Sequence, residues 1–362
     1  MMNVLDEVDI SNRNARLARV WIIPPFSILD STTIYWTDRK KMWLGLGIRS
    51  ELGRGEVTTK DGTIQGGAAT GGSSLPLQVL TRSGQPTVMR WGLGDRAEDY
   101  KAPQGKFRTG STNAYGVGED LMRGENEKFG NKDDDTVSGT SIFDPVLCEI
   151  MYRWFAGKCG RILDPFAGGS VRGIVAGLLG HRYMGLELRA EQVDSNREQW
   201  SEIATRYFKK PQTIDRVRYY IGDTVRALWK AKTTGWADFV FTCPPYTFLE
   251  RYSDDPLDLS TMDYKEFLRR YRYVIKRSAD MLKPNRFACF VVGDVRDPKN
   301  NGVYLNFVGD TITAFQDAGM FLYNQMIFCT PVGSLQIRVG QQMRASAKIG
   351  SRHQHVLVFV KG

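Results

Sequence analysis

The chain has 362 residues, a formal net charge of +9 and 42% hydrophobic residues, room for one large or two ordinary domains with ample core. Five cysteines with no CxxC pairing and only three histidines argue against a zinc site or a disulfide framework, so no metal and a reducing cytoplasm are expected. The charged start, MMNVLDEVDISNRNARLARV, does not read as a signal peptide and no stretch reaches transmembrane length, so no membrane association is expected, while the basic balance suits a nucleic-acid partner.

Residues 1–60 mix aromatic and basic side chains, Trp21, Phe26, Tyr35, Trp36, Arg39, Lys40, Lys41 and Trp43. Residues 35–48 suit a helix with a basic side at Arg39, Lys40 and Lys41. Two readings stand level: aromatics in a core with solvated lysines, or a surface that cradles nucleic acid. Residues 59–74 and 97–135 are polar and glycine-rich, too poor in apolar residues for a core, and read as mobile loops. Residues 1–137 are therefore set apart as an accessory region, with a main domain over 138–362.

Residues 140–155, TSIFDPVLCEIMYRWF, predict a turn and then an amphipathic helix, with Pro145 at its first position. Residues 160–189 follow as strand, glycine turn, helix and strand. The first strand stops at Asp164. Pro165, Phe166, Ala167, Gly168, Gly169 and Ser170 form a turn whose glycines let a ligand approach the backbone. Val171, Ile174, Val175, Leu178 and Leu179 recur at helical spacing, and Gly180 suits a helix stop. The next strand ends near Glu187, about 20 residues beyond the turn, where an acid suits ribose hydroxyls.

A polar helix is expected over 190–207 and a third strand over 219–223, ending at Asp223, which also suits a helix cap. Residues 238–246, DFVFTCPPY, run an apolar strand into Pro244, Pro245 and Tyr246, which cannot continue a central strand. Strand ends carrying these motifs meet at one edge of a parallel sheet, where α/β proteins bind ligands. A polar flap is expected at 250–262, then a helix from 264, a strand over 286–294, a helix over 306–318 and short strands at 326–330 and 356–360. Between the last two lies the acid-free run RVGQQMRASAKIGSRHQH at 338–355, whose Arg338, Arg344, Lys348 and Arg352 are candidates to neutralise phosphates.

DPFAGGS resembles the S-adenosyl-L-methionine motif of DNA amino-methyltransferases, and TCPPY resembles their catalytic motif, usually Asp, Asn or Ser before Pro-Pro and an aromatic. PPFSILD, SELGRGE, TSIFDPVLCE and YSDDPLDLSTMDY are similar to segments of phage-encoded DNA methylases, over roughly 20–60 and 138–362. The resemblance implies a doubly wound, Rossmann-like α/β methyltransferase sheet with an N-terminal accessory region. It implies S-adenosylmethionine as cofactor, with Thr140, Ser141 and Phe143 at its methionine end, residues 164–170 and Glu187 along it, and Asp223 beside its adenine. It implies DNA as partner and methyl transfer to cytosine N4 or adenine N6 of a flipped base. The Pro244 carbonyl and Cys243 would face the amine and Tyr246 would stack on the base.

Cys243 departs from the family pattern. A thiol is a weak acceptor, and adjacent Thr242 is a candidate to supply an oxygen instead. Cysteine is close to serine in size, a slight lean towards cytosine N4. Attack of a Cys243 thiolate on a pyrimidine ring is disfavoured, because DNA cytosine-5 enzymes carry Pro-Cys, the reverse order. The alternatives kept are an RNA base methyltransferase and a catalytically silent DNA-binding protein on the same fold. A nicotinamide dehydrogenase is weakest, since GxGxxG is absent.

Overall fold

The computed structural model describes residues 21–49, 79–80, 86–87, 143–209, 211–230, 234–246, 252–253, 255–297, 299–332 and 335–362. Thr140, Ser141 and the glycine-rich stretches expected to be mobile loops lie outside the described residues. By contacts, 74–137 form a separate compact unit, of which an antiparallel pair, β2 (Val79–Leu80) and β3 (Pro86–Thr87), is described.

The main unit is a mixed α/β fold built on eight strands. These are β1 (Ile28–Asp30), β4 (Arg161–Asp164), β5 (Arg182–Glu187), β6 (Val217–Ile221), β7 (Ala237–Thr242), β8 (Leu282–Val292), β9 (Met320–Cys329) and β10 (His353–Lys361). Their order is β1-β9-β10-β8-β7-β4-β5-β6. Every pair is parallel except those of β10, which runs antiparallel to β8 and β9. The sheet is doubly wound and Rossmann-like: its order reverses between β4 and β7, and the crevice at such a switch point is where open parallel sheets bind ligands.

Alternation along the central strands divides the core in two. Phe239, Phe241, Cys289, Val291, Val356 and Val358 belong to one face. Against it pack α1 (Ile34–Gly45), α2 (Pro145–Phe155), α3 (Val171–Leu178) and α4 (Ala190–Tyr207). Val240, Ala288, Phe290, Leu357 and Phe359 belong to the other face, under α6 (Tyr264–Met281) and α7 (Phe307–Asp317), with α5 (Thr224–Lys230) beside them. The caps are legible locally. Asp144 accepts from Val146 and Leu147 N–H with Pro145 opening α2, and Asp263 accepts from Glu266 N–H at α6. Helix α3 sits so close to its neighbours that a Cβ at Gly173 would lie 2.1 Å from the Tyr219 hydroxyl of β6, and one at Gly177 would lie 2.3 Å from the Trp200 ring of α4.

Two expectations are corrected. The N-terminal segment does not stand apart: β1 pairs with β9 and α1 packs on α2. Trp36 and Trp43 are core residues, and Arg39 is buried rather than on a basic surface. Arg39 grips Glu149 through Nε (2.7 Å) and Nη2 (2.6 Å), and Trp43 Nε1 donates to the same carboxylate at 2.8 Å. A helix carrying two tryptophans buries its cation only because a carboxylate from α2 meets it. The basic run takes regular structure at both ends. Its first part forms α8 (Leu335–Ser346), where Leu, Gln, Met and Arg favour helix, and its end begins β10.

Removing Arg39 leaves a fully buried carboxylate short of its main partner. Arg39→Met is expected to lower unfolding free energy by about 3 kcal/mol in a urea titration. Burial also holds the His181 ring, which accepts from Gly160 N–H, down at about 4. The unfolded chain therefore takes up a proton below its ordinary pKa of about 6.5 while the folded chain does not, so stability falls as pH drops from there to about 4. The loss is of order 3 kcal/mol, and His181→Asn is expected to flatten that limb of the stability–pH curve.

Candidate functional site

The sheet's carboxyl edge is organised by Asp164 at the end of β4, a carboxylate with no exposed surface. Its Oδ2 accepts from Arg172 Nε of α3 and from the Tyr183 hydroxyl of β5, both at 2.6 Å. Its Oδ1 accepts from Thr242 Oγ1 of β7 at 2.6 Å and from Phe166 N–H at 3.2 Å. Arg172 also donates to the carbonyls of Phe166 and Ala167, so one ion pair fixes both the strand ends and the turn. Burial pulls the Arg172 guanidinium down, but Asp164 outweighs it and holds the proton more firmly than usual. Burial, then Asp164, pushes the Tyr183 hydroxyl well up.

The turn after β4 is shaped for close approach. Gly168 has φ +51°, and a Cβ there would meet nothing within 4 Å, a left-handed position open on its side-chain side. Its N–H donates to Glu187 Oε2 at 3.0 Å and its carbonyl accepts from Asn196 at 2.7 Å. Pro165 accepts from the Thr224 hydroxyl, and buried Ser170 donates to Gln199. Burial raises the Glu187 carboxyl, against the pull of the Arg189 and Gly168 N–H groups and the Arg189 charge. Asp223 accepts from Val225 N–H at 3.0 Å at the start of α5.

Beyond β7, Tyr246 sits edge-on to Phe307, and its hydroxyl accepts from Gln354 Nε2 at 2.7 Å and lies 3.4 Å from Cys243 Sγ. Phe143 lies under the Arg172 guanidinium, 4.6 Å from ring centre to Cζ.

One cavity of about 230 Å³ runs along this edge. Of the residues expected from sequence, Phe143, Phe166, Gly168, Gly169, Glu187, Asp223, Cys243, Pro244, Pro245 and Tyr246 line it. Asp164, Pro165, Ala167, Ser170 and Thr242 do not; they lie behind the wall. Thr242 is a correction: its side chain is fully buried and its hydroxyl is bound to Asp164, so it offers no oxygen to a ligand. Arg344 and Arg352 are exposed and Lys348 is half-buried against Gly302, all in the connection from β9 to β10, outside the cavity lining. Arg338 lies in α8.

Sequence reading missed Arg172, Lys40 and Gln354 as lining residues. Arg172 left one signal, a lone cation in the apolar run VRGIVAGL. Lys40 stands out locally only as part of a basic helix face and reaches the site because α1 packs on α2, while nothing local marks Gln354, which reaches it through sheet order. Among the described residues no cluster of three metal-ligating side chains occurs, and no helix is long and apolar enough to cross a membrane.

No family model and no curated protein matches the chain. Solved structures that resemble it include TrmN from Thermus thermophilus, at 14% identity over 61% of this chain and 49% of that one, TM-score 0.38. A TehB-like SAM-dependent methyltransferase from Corynebacterium glutamicum matches at 14% identity over 62% and 90%, TM-score 0.34. A candidate DNA modification methylase from Thermus thermophilus, complexed with S-adenosyl-L-methionine, matches at 19% identity over 38% and 53%, TM-score 0.29. The chain spans about half the length of TrmN and of that methylase. With every one of these TM-scores below 0.5, the reading of the site rests on its own geometry.

Placing Thr242 behind the wall gives a distinct expectation. Thr242→Val loses one hydrogen bond to a buried carboxylate and is expected to cost about 1.5 kcal/mol of stability. Binding of S-adenosylhomocysteine, measured by calorimetry, is expected to change less than about threefold; a tenfold loss would return the hydroxyl to the site.

Proposed function

We propose that the protein is an S-adenosylmethionine-dependent DNA methyltransferase acting on the exocyclic amine of a flipped base, cytosine N4 or adenine N6. The observation that carries this reading is the meeting, in one cavity, of the open Gly168 turn, the acids Glu187 and Asp223, and Cys243-Pro244-Pro245-Tyr246. A nucleoside cofactor fits the first half. Gly168 presents no side chain, Glu187 stands where ribose hydroxyls need an acceptor, and Asp223 can accept from an adenine amine. Apolar Leu186, Val225 and Leu259 line the same part of the cavity.

When bound, S-adenosylmethionine supplies a methyl group on a sulfonium. The chain's own residues do the rest. An exocyclic amine is a poor nucleophile because its lone pair is delocalised into the ring. Pro244 and Pro245 stiffen the backbone after β7, so the Pro244 carbonyl accepts a hydrogen bond from one amine N–H and favours a pyramidal nitrogen. Cys243 faces the other side with a weak acceptor. Tyr246, steadied by Gln354 and Phe307, offers its ring to the flipped base, offsetting part of the few kcal/mol that flipping costs. The chain's contribution to rate is alignment and fixed acceptors. Arg338, Arg344, Lys348 and Arg352, on the connection leaving the same sheet edge, bind phosphates.

Nucleoside mass spectrometry on DNA incubated with the protein and isotope-labelled S-adenosylmethionine tests this. Label on N4-methylcytosine or N6-methyladenine is expected. Label on C5-methylcytosine would make Cys243 a nucleophile, label only in RNA would change the substrate, and no label with the cofactor bound would indicate a silent fold. Joint alanine substitution of Arg344, Lys348 and Arg352 is expected to flatten the log–log salt dependence of DNA binding by about 2–3, measured by fluorescence anisotropy.

A further inference from the structure

Each end of the cavity is lined by acidic and basic side chains together. Glu187, with Arg189 3.6 Å away, and Asp223 mark the end under β5 and β6, whereas α1 brings a lysine to the other. Lys40 Nζ lies 3.3 Å from Asp144 Oδ2, and both residues line the cavity. The pair is braced from behind. Asp144 Oδ1 accepts from Trp36 Nε1, Val146 N–H and Leu147 N–H, so it is Oδ2 that meets Lys40. The Lys40 backbone is fixed by its neighbour, since Arg39 is locked onto buried Glu149. The Lys40 side chain is 35% exposed, and its ammonium has three donors, of which Asp144 takes one direction. The nearby cation Arg172 is committed to Asp164 and to two turn carbonyls.

An ammonium and a carboxylate held side by side on a cavity wall complement the α-carboxylate and α-ammonium of a free amino acid. We propose that Lys40 and Asp144 form a clamp for the amino-acid end of the ligand, Lys40 binding its carboxylate and Asp144 its ammonium. This rests on the cofactor reading above, since S-adenosylmethionine is a nucleoside joined to an amino-acid end. It makes α1, which lies outside the turn and Pro-Pro-Tyr motifs, part of the binding site. The contacts are charge-assisted hydrogen bonds in a partly dehydrated cleft, the strong kind.

Calorimetry with two ligands on the whole chain separates the clamp from the rest of the site. S-adenosylhomocysteine carries the amino-acid end; 5′-methylthioadenosine lacks it. Lys40→Met is expected to weaken S-adenosylhomocysteine about tenfold or more while leaving 5′-methylthioadenosine unchanged. An equal loss for both ligands, or none for either, would overturn the clamp. The wild-type protein gives a test independent of any variant's folding. Decarboxylated S-adenosylmethionine is expected to bind about tenfold or more weakly than S-adenosylmethionine, and equal affinity would remove Lys40 from carboxylate binding. Failure of the wild type to bind any of these nucleosides would overturn the cofactor reading, and the clamp with it. Binding of 5′-methylthioadenosine without the expected discrimination would overturn the clamp alone.

Discussion

A carboxylate with no access to water must be fully paired, and the edge of this sheet is arranged to satisfy one. Asp164 collects a guanidinium, two hydroxyls and a backbone N–H from four different places: α3, β5, β7 and the turn that follows it. Losing the Arg172 guanidinium leaves charge uncompensated at a cost of several kcal/mol, and losing a neutral donor costs about 1–2 kcal/mol, so the four places do not drift independently. The glycine turn and the Pro-Pro-Tyr strand are therefore held in register by a buried residue that does not itself line the cavity.

A second buried carboxylate repeats the device on the N-terminal side. Glu149, also without exposed surface, is matched by Arg39, Arg153 and Trp43, and Asp144 on the same helix is matched by Trp36 and Lys40. A helix at residues 34–45 is thereby fastened to one that starts at 145, with about a hundred residues of chain between them. The two fastenings place Lys40 at the cavity and Trp36 against Phe328 of β9. Removing one partner of such a buried pair is costly, so the two helices are held in one placement.

Much of this was legible in the sequence and part was not, for physical reasons. Strands β4, β5 and β7 and helices α2, α3, α4 and α6 follow from local signals: apolar runs, Asp144 with Pro145, and the left-handed Gly180 closing α3. The ligand edge follows because strand ends with turn residues must gather on one side of a parallel sheet. What stayed hidden depends on contacts distant in sequence. Arg39 reads as a surface cation until Glu149 is seen beneath it, and Thr242 reads as a site oxygen until its hydroxyl is seen donating to buried Asp164. Likewise Gln354, on antiparallel β10, reaches Tyr246 only because β10 is inserted between β8 and β9.

The central claim is that one ligand spans the ends of β4, β5, β6 and β7. Hydrogen–deuterium exchange with and without S-adenosylhomocysteine tests it most directly. The account predicts slowed exchange at 166–171, 187–189, 223–225 and 243–246, with the exposed stretch of β9 at 321–325 unchanged. Saturating ligand with no protection in those four segments, or protection centred elsewhere, would contradict it.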